Sequence, residues 1–300
     1  MGDGQATALV GTSGWDKPQW RGHFYPQGLP QRREFSYAAE RLATFELNTT
    51  FHGLSPAENF PRWRAGTPPG TVFSVKGHKA VTHERRLVNT TDAVADFFAS
   101  GLLGLQEKMG PMLWQVPPSL EFRPAVVEAF LASLPRTVGD ARELMARHAS
   151  GDAGHLGDNP ARRIRHAFET RHPSFLVPAF AELLREHGVA AVFVNAPGRP
   201  VVTEVTADFV YIRLHSDAGH RPDGYDDDAL DHWARLIEGW RSGAACPDGR
   251  GRDVVAYFDN PDHTRTSSPF DAIRLQQRLD GPAAGATRPE TSILPPLWEE

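Results

Sequence analysis

The chain has 300 residues, 40% of them hydrophobic and 23% charged, a composition that excludes collagen-like, coiled-coil and broadly disordered proteins. Its 32 Lys and Arg against 37 Asp and Glu leave a net charge of −5, so there is no global basic field to attract duplex DNA. The single cysteine, Cys246, excludes an intrachain disulfide and a Cys-based zinc site.

No apolar run reaches the roughly 18 residues that a membrane span needs. The polar stretch 1–8 carries no apolar core of a secretory signal. The expectation is a soluble cytoplasmic protein with no membrane contact.

In chain order, short apolar runs predict strands over 9–13, 44–48, 72–76, 112–116, 164–172, 190–195, 209–215 and 254–259. Amphipathic stretches predict helices over 35–42, 57–64, 91–109, 124–134, 176–187, 226–241 and 270–279. Eight strands interleaved with seven helices follow the pattern of a (β/α)8 TIM-type barrel in the α/β class, and the length suits one. The rival is a doubly wound sheet with a nucleotide at its switch point. There the first strand should lead into a glycine fingerprint, but it leads into Gly11-Thr12-Ser13-Gly14-Trp15, with a bulky indole where a pyrophosphate must approach.

Three segments break the rhythm. Residues 137–162, rich in glycine, form an insertion between the fourth helix and the fifth strand, on the N-terminal face of a barrel. Residues 242–252 form another such connection, which places Cys246 away from chemistry. The tail 281–300 reads as irregular, so 1–280 is taken as the barrel domain. Trp63, Trp233 and Trp240 fall on helices and read as packing residues.

Side chains alternate along a strand, so residues two apart share a face. On this parity Glu46 and Asn48, Ser74 and Lys76, Leu113 and Gln115, and Glu169 and Arg171 point into the barrel. So do Asn195, the set Tyr211, Arg213 and His215, and the pair Tyr257 and Asp259, with Ser13 and Trp15 on the first strand. Barrel interiors are normally filled by branched apolar residues, and buried charges are costly unless they pair or serve a ligand. A charged group at so many strand ends therefore reads as a binding site at the C-terminal mouth. The alternative is a self-satisfied ion-pair network that plugs the barrel.

The same residues carry a resemblance. Gly11-Thr12-Ser13-Gly14-Trp15, Trp20-Arg21-Gly22, Phe24-Tyr25-Pro26, Glu46-Leu47-Asn48-Thr49-Thr50-Phe51 and Phe73-Ser74-Val75-Lys76 resemble the DUF72 (YecE-like) family. Thr82-His83, Gln115-Val116-Pro117-Pro118-Ser119, Phe168-Glu169-Thr170-Arg171-His172-Pro173-Ser174, Tyr211-Ile212-Arg213-Leu214-His215 and Tyr257-Phe258-Asp259-Asn260 continue it in order. The resemblance implies a TIM-type barrel and leaves the activity open. The chain departs from the pattern at His52, where the family carries Tyr, and at Asp259, where it carries Asn.

Lys76, Arg171 and Arg213 are candidates to clamp a phosphate or carboxylate, with Arg offering a bidentate fork. Glu169, His215, Lys76, Glu46 and Asp259 are the candidate acid–base or nucleophilic groups. Trp15, Asn48, Gln115, Arg171, Asn195, Arg213 and Tyr257 are the candidate substrate contacts. No cofactor motif is present, and no His-x-His or His-Glu-x-x-His pair fixes a metal; a divalent metal on a mixed set from Glu46, Glu169, His172, His215 and Asp259 is the less favoured alternative. His78 and His83 read as residues of the loop after the third strand, with substrate contact as the alternative because that loop lies over the mouth, and Trp20 and Phe24 read as packing of the first long loop. The resulting expectation is an enzyme acting on an anionic small molecule by acid–base chemistry. The alternatives are a protein that processes or binds single-stranded nucleic acid, and a non-catalytic ligand sensor.

Overall fold

The computed structural model describes residues 6–151, 154–196, 198–200, 202–215, 224–259 and 266–281. Strands β1 (Ala8–Ser13), β2 (Thr44–Leu47), β3 (Val72–Lys76), β4 (Met109–Gln115), β5 (His166–Glu169), β6 (Ala190–Asn195), β7 (Phe209–Leu214) and β8 (Asp253–Phe258) follow one another in sequence order around a closed barrel. The helices between and after them are α1 (Glu34–Ala39), α2 (Thr49–His52), α3 (Asn59–Ala65), α4 (Thr91–Ala99), α5 (Pro124–Ser133), α6 (Val138–His148), α7 (Pro178–Glu186), α8 (Asp227–Arg241) and α9 (Ser268–Asp280). The expected (β/α)8 architecture is therefore present. Strands such as β7 are buried along their whole length, as parallel strands covered on both faces must be. No helix among the described residues is long and apolar enough to cross a membrane.

The chain groups into two compact units, Met1–Thr44 with Ala190–Glu300, and Phe45–Val189. In the first, β8 pairs in parallel with both β1 and β7, and β7 with β6. Helix α8 begins at the Asp226 side chain, which accepts the Ala229 N–H at 2.8 Å. It buries Trp233, Ile237 and Trp240, with Trp240 tilted against Phe193 at 4.7 Å. Cys246 lies buried beyond this helix and ahead of β8, its thiol 3.5 Å from the Trp240 carbonyl. Burial pushes that thiol up from its usual pKa, so it is an inert packing group. The loop after β1 folds on its own aromatic rings: Trp20, Phe24 and Tyr25 are buried, and the Tyr25 hydroxyl donates to the Trp15 carbonyl at 2.6 Å.

In the second unit, Phe45 stacks on Phe73, and Trp114 of β4 packs edge-on against Phe97 of α4 and Phe130 of α5. Phe168 and Phe175 continue this layer against Phe180 of α7. Burying a ring of this size contributes about 1.5–3 kcal/mol. Lys108 is an example of a lysine spent on structure. Its ammonium donates to the Arg64 and Thr67 carbonyls and the Thr67 hydroxyl, at 2.7–2.9 Å, closing the C-terminal end of α3.

Three expectations need correction. The helix expected over 91–109 ends at Ala99, and Met109 already belongs to β4. Gly101 breaks it with φ of 100°, and a Cβ there would sit 2.8 Å from the Cα of Ala57, so only glycine fits the turn. The segment 137–162 is not irregular throughout, since it contains α6. Thr137 and Asp140 form a capping box at its start, and its apolar face of Val138, Ala141 and Met145 is buried. Asp96 of α4 accepts the Ser150 N–H at 2.6 Å, and the Ala99 carbonyl accepts that of Gly154 at 3.0 Å, tying the insertion to α4. Finally, β5 spans only four residues, so Arg171 and His172 lie beyond its end. The tail from 282 onward and Asn260 lie outside the described residues.

One buried histidine ties β4 to the bottom of the barrel. His166, at the start of β5, accepts the Trp114 indole N–H at 3.1 Å and donates to the Pro135 carbonyl at 2.7 Å. Burial lowers its pKa from 6.5 to about 4. Between those values the unfolded chain binds a proton that the native state refuses, so stability is lost as pH falls from 6.5 toward 4. Asp271 in the first turn of α9 acts in the opposite sense. Burial raises its pKa from 3.8 to about 6, which favours the native state at low pH and disfavours it as pH rises through that window. The pH dependence due to His166 is thus isolated by comparing variants: the destabilisation caused by His166→Gln shrinks by on the order of 3 kcal/mol from pH 7 to pH 4, measured by urea unfolding. An unchanged difference would show that His166 is not held neutral.

Candidate functional site

The ends of β3, β4 and β5 bring four of the expected residues together within the second unit. The parallel register sets Gln115 opposite Glu169 and Lys76 opposite Leu113. The Gln115 side-chain oxygen accepts from Lys76 Nζ at 2.8 Å and from Arg171 Nη2 at 2.9 Å. Arg171 turns back over the end of β5 so that its Nε donates to Glu169 Oε1 at 2.9 Å. Gln115 and Glu169 are buried, at 4% and 1% exposure, whereas the Arg171 side chain is 19% exposed and Lys76 is half-buried. Two cations thus lie side by side on one neutral acceptor at the barrel's C-terminal rim.

The loops that follow add to this group. Asn48, just past β2, begins the short helix α2. There the Thr50 hydroxyl donates to the Lys76 carbonyl at 2.7 Å, and Lys76 Nζ lies 4.5 Å from the centre of the Phe51 ring. Glu46 is fully buried one residue before the end of β2. After β3, residues Ala80–Glu84 form a single π-turn, a local irregularity often found at functional sites. It carries His83 against Phe51, ring centres 4.9 Å apart, with Nδ1 2.9 Å from the Thr82 hydroxyl. Burial lowers the His83 pKa, and the charges of Lys76 and Arg171 lower it further, against a raising contribution from Glu84. Beyond the turn, Arg86, Leu87 and Asn89 adopt left-handed φ of 51–68°, unusual for residues with side chains. The loop is pinned by Arg86, which donates to the Ser119 carbonyl at 2.6 Å. His78 starts the turn by accepting the Ala80 N–H at 3.3 Å, and His172 is committed to Ser174, whose N–H its Nδ1 accepts at 3.2 Å. Both of these histidines hold loops in place.

In the first unit, described by itself, further expected residues lie at the ends of β6, β7 and β8. Asp259 Oδ2 accepts from Arg213 Nη2 at 2.9 Å and lies 3.8 Å from His215 Nδ1. Arg213 is 1% exposed, and His215 and Asp259 are 13% and 16% exposed. Such an arrangement orients an imidazole against a carboxylate that is itself anchored. Asn195 at the end of β6 is held by the Tyr225 hydroxyl at 2.6 Å, and Tyr225 by Arg274, which donates to its carbonyl at 2.8 Å. Tyr257 lies deeper than expected. It is fully buried, pairs with Tyr211, and places its hydroxyl 2.9 Å from that of Thr44, a packing position inside the barrel. Trp15 rests on Phe35 at 4.5 Å. Among the described residues no three His, Cys, Asp or Glu side chains converge as metal ligands.

A family model described as "Protein of unknown function DUF72" matches residues 9–293. The chain belongs to the DUF72 family. Over 136 residues it is 24% identical to the UPF0759 protein YunF of Bacillus subtilis, a match covering 44% of this chain and 47% of that protein. The crystal structure of a DUF72 family protein (TM1631) from Thermotoga maritima superposes with a TM-score of 0.65 at 22% identity, over 92% of this chain and all of that one. Another, EF0366 from Enterococcus faecalis, gives 0.58 at 15% identity, over 91% of this chain and 97% of that one. At these identities the likeness speaks for the fold.

In this DUF72 protein the motifs around Lys76, Thr82-His83, Gln115 and Glu169 fall on the cluster just described. Sequence parity located Lys76, Gln115, Glu169 and Arg171. It could not place His83, weighed only as a loop residue over the mouth, and it missed Tyr225; both sit in loops where no alternation applies. The chain leaves the end of β3 through Gly77, where a Cβ would lie 2.3 Å from the Trp114 ring. Gly77→Ala should therefore cost about 1–3 kcal/mol by overpacking and displace Lys76 from Gln115. An unchanged urea midpoint would contradict this packing.

Proposed function

We propose that this protein is an enzyme that binds an anionic small molecule, a phosphate ester or a carboxylate, at the rim formed by the ends of β3, β4 and β5. The observation that carries the reading is the convergence of Lys76 and Arg171 on the single Gln115 oxygen. Two cations brought to one neutral amide, with the Glu169 carboxylate on the Nε side of Arg171, form a pair of donors that suits a bound anion. Arg171 would supply the bidentate fork and Lys76 a point charge. Glu169, fixed on Arg171, keeps the fork oriented. Acid–base chemistry of hydrolase, lyase or isomerase type suits such a rim. In keeping with one buried cysteine, the cytoplasm is the proposed compartment.

The test is a thermal-shift panel of sugar phosphates, nucleotides, carboxylates and short oligonucleotides on the wild type, Lys76→Met and Arg171→Ala. A ligand at 100 times its dissociation constant adds about 2.7 kcal/mol to stability. One class of small anion should stabilise the wild type and neither variant. Oligonucleotide binding with a steep salt dependence would favour nucleic-acid processing instead. Binding without turnover of any stabilising ligand would leave a sensor. No anion-dependent shift in the wild type would make the rim a structural ion-pair network.

A further inference from the structure

We propose that His83 is a ligand-contacting residue of this rim, donating an imidazole N–H to the oxyanion beside Lys76 and Arg171, and that the site accordingly selects phosphate-like dianions over carboxylates. The inference rests on the anion-binding reading above and adds the third ligand group and the charge of the ligand.

The placement of His83 is the argument. Its ring and the Lys76 ammonium both rest on the Phe51 ring, at 4.9 and 4.5 Å from its centre. Both Lys76 and Arg171 are near enough for their charges to bear on the imidazole. The turn that carries it is anchored by Val81 and Thr82, each fully buried. The Thr82 hydroxyl is engaged with Nδ1 at 2.9 Å, which leaves Nε2 for a ligand. The imidazole is half-buried, as a group that meets a ligand at a rim must be.

The charges around this imidazole explain the selectivity. From β3 it faces Lys76, from the end of β5 it faces Arg171, and from its own turn it faces Glu84. Glu84 is exposed and paired with Lys79 at 3.3 Å, so it offsets the two cations weakly. Burial opposes a charge on this imidazole, and the charges of Lys76 and Arg171 oppose it further. A dianion lying among the three groups reverses that balance, because an opposite charge within about 4–6 Å favours the charged form. His83 then takes up a proton as the ligand binds and adds a charge-assisted hydrogen bond. A monoanionic carboxylate supplies half the compensating charge and recruits the proton less. Fixed lysines and arginines alone would show no such proton uptake.

The experiment is a histidine-selective NMR titration of the full chain against inorganic phosphate, with acetate in parallel, on the wild type, His83→Gln and Arg171→Ala. In wild type without ligand, His83 titrates below the usual histidine range. Saturating phosphate moves its midpoint up by about one pH unit or more, and acetate moves it less. Phosphate affinity at pH 7 falls about tenfold or more in His83→Gln. If phosphate binds in an Arg171-dependent manner while the His83 midpoint stays put, His83 is not a ligand group. The inference then fails and the anion site stands. If phosphate perturbs no histidine and Arg171→Ala behaves as the wild type, both readings fail. The wild-type titration decides the question even if a variant does not fold.

Discussion

A neutral amide oxygen at the end of β4 organises the rim of the second unit. Gln115 accepts from Lys76 and Arg171 at once, filling both lone pairs of its oxygen. Gln115 is 4% exposed, so a cation that swings away gives up a hydrogen bond to a charged donor, worth about 1.5–3 kcal/mol, and only the loss of both leaves the buried oxygen unsatisfied. The other features of the rim follow from that fixed pair. Glu169 sets the plane of Arg171, Phe51 supports Lys76, and the π-turn brings an imidazole to the same place.

The contrast with Lys108 shows why this arrangement is read as a site. Lys108 is also buried, and its ammonium donates to the carbonyls that end α3. Lys76 shares its acceptor with a second cation at the C-terminal rim, the face on which barrels of this class place their chemistry. The strained residues Arg86, Leu87 and Asn89 belong to the loop over that same rim. By contrast His166 at the start of β5 and Cys246 ahead of β8 serve packing at the other end of the strands.

Much of this was legible in the sequence, for definite reasons. Strand existence followed from short apolar runs, and strand parity selected Lys76, Gln115 and Glu169, because a closed barrel enforces alternation up to each strand's last residue. Parity carried too far at Arg171, which lies past the end of β5 and reaches the rim by folding back, and at Tyr257, whose length takes its hydroxyl to Thr44 deep in the barrel. Helix α6 was missed because the glycines of 137–162 suggested a loop, although Thr137 and Asp140 at cap spacing and the apolar spacing of Val138, Ala141 and Met145 were there to be read. His83 was read first as a loop residue, with substrate contact as the alternative. Loops have no period, so only the folded turn shows that it shares the Phe51 ring with Lys76.

The most direct measurement of the central claim is a crystal structure of the protein soaked in tungstate, a heavy tetrahedral dianion located by its anomalous scattering. The account predicts a peak within hydrogen-bonding distance of both Lys76 Nζ and the Arg171 guanidinium. Tungstate bound elsewhere on the protein, with no peak beside Lys76 and Arg171 at saturating concentration, would contradict it.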